Sequence, residues 1–172
     1  MSDMVLVVYV TRYGSTQEVA ERVAETLREN GLQVDVKCAR DVRALEGYRA
    51  VVLGAPLYIG RWLKDAQRFL ARFQAGLAQR SVAVFSLGPT RLEEMVAADV
   101  RAQLDQELNK YPWLKPVASE LFGGKYDPAT LRFLDNLLGA LPASPLHGLP
   151  ASDARDWEAI RAWANDVAEK LR

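Results

Sequence analysis

The segment MVLVVYV, Met4 to Val10, is seven apolar residues with no polar interruption. A strand with one face in water alternates apolar and polar side chains, whereas a strand covered on both faces does not. Such a strand belongs to a parallel sheet with helices packed on either side. The same signature returns at Ala50 to Ala55 (AVVLGA) and Ser81 to Leu87 (SVAVFSL), and in shorter form at Gln33 to Lys37 and Val117 to Gly123.

Helical patterns fill the intervals. Val19, Ala20, Val23, Ala24 and Leu27 form one stripe, opened by Ser15 and Glu18 at capping-box spacing and stopped at Gly31. Trp62, Leu63, Ala66, Phe69, Leu70 and Phe73 mark a second helix that ends before Gly76, and Leu92, Val96, Val100, Leu104 and Leu108 a third, stopped by Tyr111-Pro112-Trp113. Leu131 to Leu141 suggests a fourth after Asp127-Pro128, the proline-rich stretch Leu141 to Pro150 a loop, and Trp157 to Leu171 a last helix. Five alternations of strand and helix predict one α/β domain over residues 1–172, a doubly wound parallel sheet with helices on both faces.

Composition narrows the partners. Twenty-two basic and twenty-two acidic side chains cancel, so no overall field draws the chain to nucleic acid. The single cysteine, Cys38, excludes an internal disulfide framework and fits a reducing, cytoplasmic setting, and with one histidine, His147, the common zinc sites cannot form. Met4 to Val10 is too short to span a bilayer, and no other stretch reaches the roughly 18 apolar residues a membrane helix needs.

In doubly wound sheets ligands bind beyond the carboxyl ends of the strands, where neighbouring connections leave on opposite faces. Three loops therefore matter, and the first is Thr11-Arg12-Tyr13-Gly14-Ser15-Thr16. Small hydroxyls and a glycine stand directly ahead of a helix N-terminus, whose unpaired N–H groups and partial positive charge favour an anion. There is no G-x-x-x-x-G-K-[ST] and no G-x-G-x-x-G, so neither a nucleotide triphosphate nor a dinucleotide pyrophosphate is indicated. A single phosphomonoester remains, beside the plainer reading that Ser15 only caps its helix.

The other two loops are GAPLYIGRW (Gly54 to Trp62) and SLGPTR (Ser86 to Arg91), with aromatics, glycines and prolines suited to covering a flat ring. Tyr58 and Trp62 are candidates for that role, and each also fits as a core or rim aromatic. G-x-S-x-G is absent, and Gly54-Ala55 stands where a phosphoreceiver domain needs an aspartate.

These residues resemble the flavodoxin family, whose phosphate loop, T-x-[ST]-G-x-T in outline, is matched at Thr11 to Thr16 with Tyr13 in place of a hydroxyl residue. The resemblance implies flavin mononucleotide (FMN) as cofactor and a five-stranded sheet in order 2-1-3-4-5. It implies phosphate contacts from Thr11, Arg12, Tyr13, Gly14, Ser15 and Thr16, and ring contacts from Pro56, Leu57, Tyr58, Ile59 and Gly60 and from Ser86, Leu87, Gly88, Pro89 and Thr90.

Within the family the chain is most similar to the menaquinone-dependent protoporphyrinogen oxidase group, through GAPLYIGRW, FSLGPTR, FGGKYDPATLRFLDNLLGAL and DWEAIRAWANDVA. That resemblance implies a place in heme biosynthesis, a porphyrinogen donor, a quinone acceptor and peripheral contact with the membrane. It also implies a long basic insertion before the last helix, where Phe122 to Leu141 carries only Lys125 and Arg132 against Asp127 and Asp135. A flavodoxin-type electron carrier that docks to a redox partner protein is the other class. Leu131 to Leu141 fits either a core face or a membrane-side surface.

Two expectations concern tuning. Arg12, Arg61 and Arg91 in or beside the loops favour the reduced, anionic ring and a less negative potential than an acidic family member has, unless they point into solvent. By resemblance, the Ile59-Gly60 peptide flips to accept a hydrogen bond from the protonated flavin N5, a movement that glycine makes easy; otherwise Gly60 only makes a turn.

Overall fold

The computed structural model describes residues 3–90, 98–127 and 151–172. In chain order the elements are β1 (Met4–Tyr9), α1 (Ser15–Glu29), β2 (Gln33–Cys38), β3 (Tyr48–Tyr58), β4 (Arg61–Trp62), α2 (Lys64–Arg72), α3 (Gln74–Ala78), β5 (Ser81–Leu87), α4 (Ala98–Leu108), β6 (Ala118–Phe122), β7 (Lys125–Tyr126), β8 (Ser152–Asp153) and α5 (Trp157–Lys170). The expected fourth helix at Leu131 to Leu141, the loop to Pro150, His147 and Arg91 lie outside the described residues.

The main sheet has the order β2-β1-β3-β5-β6, all parallel, with β4 folded back antiparallel onto the end of β3. Counting the five principal strands in sequence, this is the expected 2-1-3-4-5. The unbroken apolar runs are explained by two cores. Val5, Val7, Val52, Ala83 and Phe85 face α1 and α5, while Leu6, Val8, Val51, Leu53, Val82 and Val84 face α2, α3 and α4. Successive strand residues point to opposite faces, so a strand buried on both has no place for a polar residue. Each fully buried Leu, Val or Phe side chain contributes about 1.5–3 kcal/mol on this scale.

Helix α1 belongs to one core and α2 to the other, so the chain leaves β1 and β3, adjacent strands, toward opposite faces. That divergence opens a crevice at their carboxyl ends.

Four local expectations are corrected. Trp62 is not on a helix: it ends the short return strand β4, and α2 begins only at Lys64. The second helix does not stop before Gly76, because after α2 ends at Arg72 the short α3 carries Gly76 in its middle. The third strand is longer than Ala50 to Ala55 and runs on through Pro56, Leu57 and Tyr58. Ser15 does not form a capping box, since the cap position is Gly14 in a left-handed conformation and no cap side chain accepts from the first N–H groups of α1.

Candidate functional site

The first loop is held by its own backbone. Gly14 has φ 93°, a region an L side chain enters at a cost of roughly 1–2 kcal/mol, and its N–H donates to Thr11 Oγ1 at 2.8 Å. Its carbonyl accepts from the Glu18 N–H at 3.1 Å, closing the first turn of α1. A Cβ at Gly14 would meet nothing within 4 Å, so the residue is required by conformation and not by crowding.

Behind this turn lies the site's most informative atom. Thr16 is fully buried, and its Oγ1 has no hydrogen-bond partner among the described residues. A buried hydroxyl left unsatisfied costs about 1–3 kcal/mol, and nearly all such groups in folded proteins find a partner. Thr26, also buried in α1, donates back to the Arg22 carbonyl at 3.0 Å, which Thr16 does not do. An orphaned hydroxyl in the first turn of a helix is placed for an anionic acceptor.

A residue far along the chain braces the loop, and neither periodicity nor motif pointed to it. Arg155 donates from Nη1 to the Ser15 carbonyl at 3.3 Å and to Glu18 Oε2 at 2.7 Å, while its Nη2 meets Asp153 Oδ2 at 2.9 Å. Its side chain is only 4% exposed, and its guanidinium lies 4.7 Å from the centre of the Trp157 ring. Burial pushes the Asp153 carboxyl up, but the Arg155 side-chain and backbone hydrogen bonds more than reverse this and leave it below its ordinary value. Burial likewise opposes the Arg155 charge, and its bonds to Asp153 and Glu18 outweigh that. The one sequence signal was an arginine between Asp153 and Asp156, directly before the last helix.

The second loop is a two-residue hairpin turn. Leu57 pairs with Trp62 and Tyr58 with Arg61, leaving Ile59 (φ 51°) and Gly60 (φ 70°) at the tip, the double positive φ of a type I′ turn. Isoleucine is a poor residue for that conformation. Ile59 is also fully exposed. Tyr58 is 37% exposed and Trp62 only 2%, which separates the two candidates for covering a ring. Trp62 is a buried anchor whose Nε1 donates to Ser86 Oγ at 2.8 Å and whose backbone N–H donates to buried Glu107 Oε1 at 3.3 Å.

In the third loop only Gly88, Pro89 and Thr90 lie beyond the strand. Ser86 and Leu87 are buried inside β5, paired with Ala55 and Pro56, and the Ser86 hydroxyl is engaged by Trp62. The loop is fixed by two bonds from the end of β6 and the turn after it: Gly88 N–H donates to the Phe122 carbonyl at 2.8 Å, and Gly124 N–H donates to the Pro89 carbonyl at 2.6 Å.

Between the second and third loops lies a cavity of about 680 Å³, bordered by Leu57, Ile59, Gly60, Gly88 and Pro89 and floored by residues of α4. That volume suits a small organic ligand. Arg12 joins the loops, its guanidinium 5.3 Å from the centre of the Tyr13 ring and 5.8 Å from that of Tyr58. The arrangement thus offers an anion position at the start of α1, and a slot between the second and third loops.

A profile of the flavodoxin domain matches residues 6–141, more than three quarters of the chain. The chain is 25% identical to the Escherichia coli (strain K12) protoporphyrinogen IX dehydrogenase [quinone] over 95% of its own length and 93% of that protein's. It superposes on a flavodoxin from the domain Archaea with a TM-score of 0.60 at 16% identity, covering 98% of each chain. On oxidised flavodoxin 1 from Bacillus cereus the TM-score is 0.60 at 17% identity, covering 98% of this chain and 99% of the other.

The cofactor this implies is FMN. Its single phosphate fits what the residues offer: the orphaned Thr16 hydroxyl, a left-handed Gly14 with open space where a Cβ would stand, and a helix N-terminus that no side chain caps.

Proposed function

The chain belongs to the flavodoxin domain family, and from that premise we propose that it is an oxidoreductase taking electrons from a porphyrinogen-type donor and delivering them to a quinone. The observation that carries this reading is the likeness to the Escherichia coli dehydrogenase, which extends over 95% of this chain and 93% of that protein. The match spans nearly the whole of both sequences. Per cycle the donor gives up two electrons and two protons, and the quinone takes up both as it becomes a quinol.

Bound FMN supplies a planar ring that accepts a hydride equivalent from one partner and returns the electrons to another. The residues divide the work of holding it. Thr11, Ser15 and Thr16 supply hydroxyls to the phosphate, and the first N–H groups of α1 add to them. Tyr58, Ile59 and Gly60 cover one side of the ring slot and Gly88, Pro89 and Thr90 the other. Arg12 stacks on Tyr58 and ties the hairpin to the first loop, and its positive charge at the cofactor site favours the reduced anion. Trp62, Ser86 and Glu107 lie beneath and fix the hairpin from which Tyr58 projects. Among the described residues no helix is long and apolar enough to cross a membrane.

A second reading, an electron carrier that docks to a redox partner protein, is favoured by the charge balance of Phe122 to Leu141, whose sequence has two basic and two acidic residues. The two readings part in one experiment. FMN-loaded protein is given protoporphyrinogen IX and a menaquinone analogue without oxygen. The enzyme reading expects porphyrin fluorescence to rise in step with quinol. No porphyrin above the FMN-free control, from protein whose flavin still cycles with a partner reductase, would leave the carrier.

A further inference from the structure

Outside the slot, on the α2 side of the first loop, lies a second depression of about 430 Å³ in which Arg12, Arg40, Lys64 and Arg68 surround a single carboxylate, Asp65. That carboxylate is already shared between two guanidiniums, Arg40 at 2.6 Å and Arg68 at 3.6 Å. The depression runs on into a neighbour of about 290 Å³ that keeps Arg40, Asp65 and Arg68 and adds Arg72, with Phe69 and Phe73 as an apolar floor. The two phenyl rings pack 5.1 Å apart, and Phe69 is buried.

Five cations against one carboxylate is a strong local excess in a chain whose charges otherwise cancel. Balancing acidic residues lie elsewhere, for example Glu18, Glu21 and Glu25 along α1. Like charges held together at a surface repel one another, and an anion that bridges them relieves the repulsion. The groove is concave and small, the size of an organic ligand and not of a protein face. It also borders the cofactor site directly, because Thr11 and Arg12 line both the first loop and this groove.

We propose that this groove binds the paired carboxylates of the electron donor, an amphipathic dianion whose apolar body lies toward Leu63, Phe69 and Phe73. The inference rests on the porphyrinogen reading for the identity of its ligand, a tetrapyrrole carrying two propionate groups. Spread guanidinium and ammonium groups recognise the two carboxylates, and the phenylalanine floor accommodates the edge of the ring system that carries both. Arg12 then stands where the donor groove meets the first loop.

The test uses FMN-loaded protein, with protoporphyrin IX and its dimethyl ester as fluorescent probes of the same ring with and without charges. Lys64 and Arg68 are exposed, so Lys64→Glu with Arg68→Glu is expected to fold and to keep its FMN affinity. Free-acid porphyrin should bind the wild type about tenfold more tightly than the double variant, and added salt should narrow the difference. The diester should bind both proteins alike and weakly. Equal affinity of the free acid for both proteins, or diester binding as tight as that of the acid, would overturn the proposal. Turnover separates it from the reading it rests on. Wild type that binds the acid through these residues but oxidises no porphyrinogen would leave the groove standing and remove the enzyme reading. Turnover whose KM ignores the double variant would do the reverse.

Discussion

The two loops proposed to hold the cofactor are built in opposite ways. Residues 11–16 are clamped: Gly14 is bonded to Thr11 and to Glu18, and buried Arg155 grips the Ser15 carbonyl from the far end of the chain. The Ile59-Gly60 turn has an anchored base at Trp62 but an open tip, with a β-branched residue at positive φ and no Cβ contact closer than 3.9 Å at Gly60. A rigid, pre-formed donor set gives affinity at little ordering cost. A turn with strain and space around it gives adjustability, and strain of this kind concentrates at functional positions. Binding strength should therefore be governed by the first loop and flavin energetics by the second.

The largest effect that sharpens this contrast is at Thr16. Thr16→Val keeps the shape and removes the orphaned hydroxyl, so the two states should respond in opposite directions. FMN affinity should fall about 10- to 100-fold, as expected for a lost hydrogen bond to a charged group, while the cofactor-free protein should gain stability, since a buried unsatisfied group has gone. Calorimetric titration and thermal melts of the free protein read the two signs separately. A loss of stability in both states would mean that the hydroxyl has a structural partner.

A smaller, pH-dependent effect belongs to the brace. Asp153 is held below its ordinary carboxyl value of 3.8 in the folded chain. A depressed folded value means that its contribution is present above the unfolded value and disappears as pH falls through the folded one. Wild type should therefore lose more stability on acidification below about pH 4 than Asp153→Asn does, and its grip on FMN should weaken over the same range. Acid denaturation of the two proteins, followed by tryptophan fluorescence, checks this. Parallel acid limbs would remove the brace from the account.

The smallest effect on affinity is expected at the second loop. Gly60→Ala introduces no clash but places alanine at φ 70°, a strain of about 1 kcal/mol. FMN should bind within a few-fold of wild type, while the two one-electron potentials of the flavin should move relative to each other. A large affinity loss with unmoved potentials would reverse the roles assigned to the two loops.

How far these features were visible in the residues follows from the range of the interactions that set them. The uninterrupted strands were legible because burial on both faces removes polar residues from the strand itself, as in Met4 to Val10 and Ser81 to Leu87. Trp62 misled because it sits at helical spacing from Ala66 and Phe69, whereas its real role depends on Leu57, Ser86 and Glu107, which periodicity along one helix cannot reveal. The start of α1 was placed correctly, but its cap was not: Ser15 and Glu18 have capping-box spacing, yet Gly14 turns the chain left-handed and Arg155 claims the Glu18 carboxylate. Arg155 lies 140 residues from the carbonyl it holds, so only the folded chain brings the two together. The basic groove is illegible along the chain for the same reason, since its cations come from the loop after β1, the turn after β2, and α2.

The central claim is that a single phosphate at the start of α1 accounts for most of the cofactor's affinity. Titrating the cofactor-free protein with FMN and with riboflavin, which share the ring and differ in the phosphate, tests it most directly. FMN should bind at least about 100-fold more tightly, and inorganic phosphate should compete with it but not with riboflavin. Equal affinity for the two, with no effect of phosphate, would contradict it.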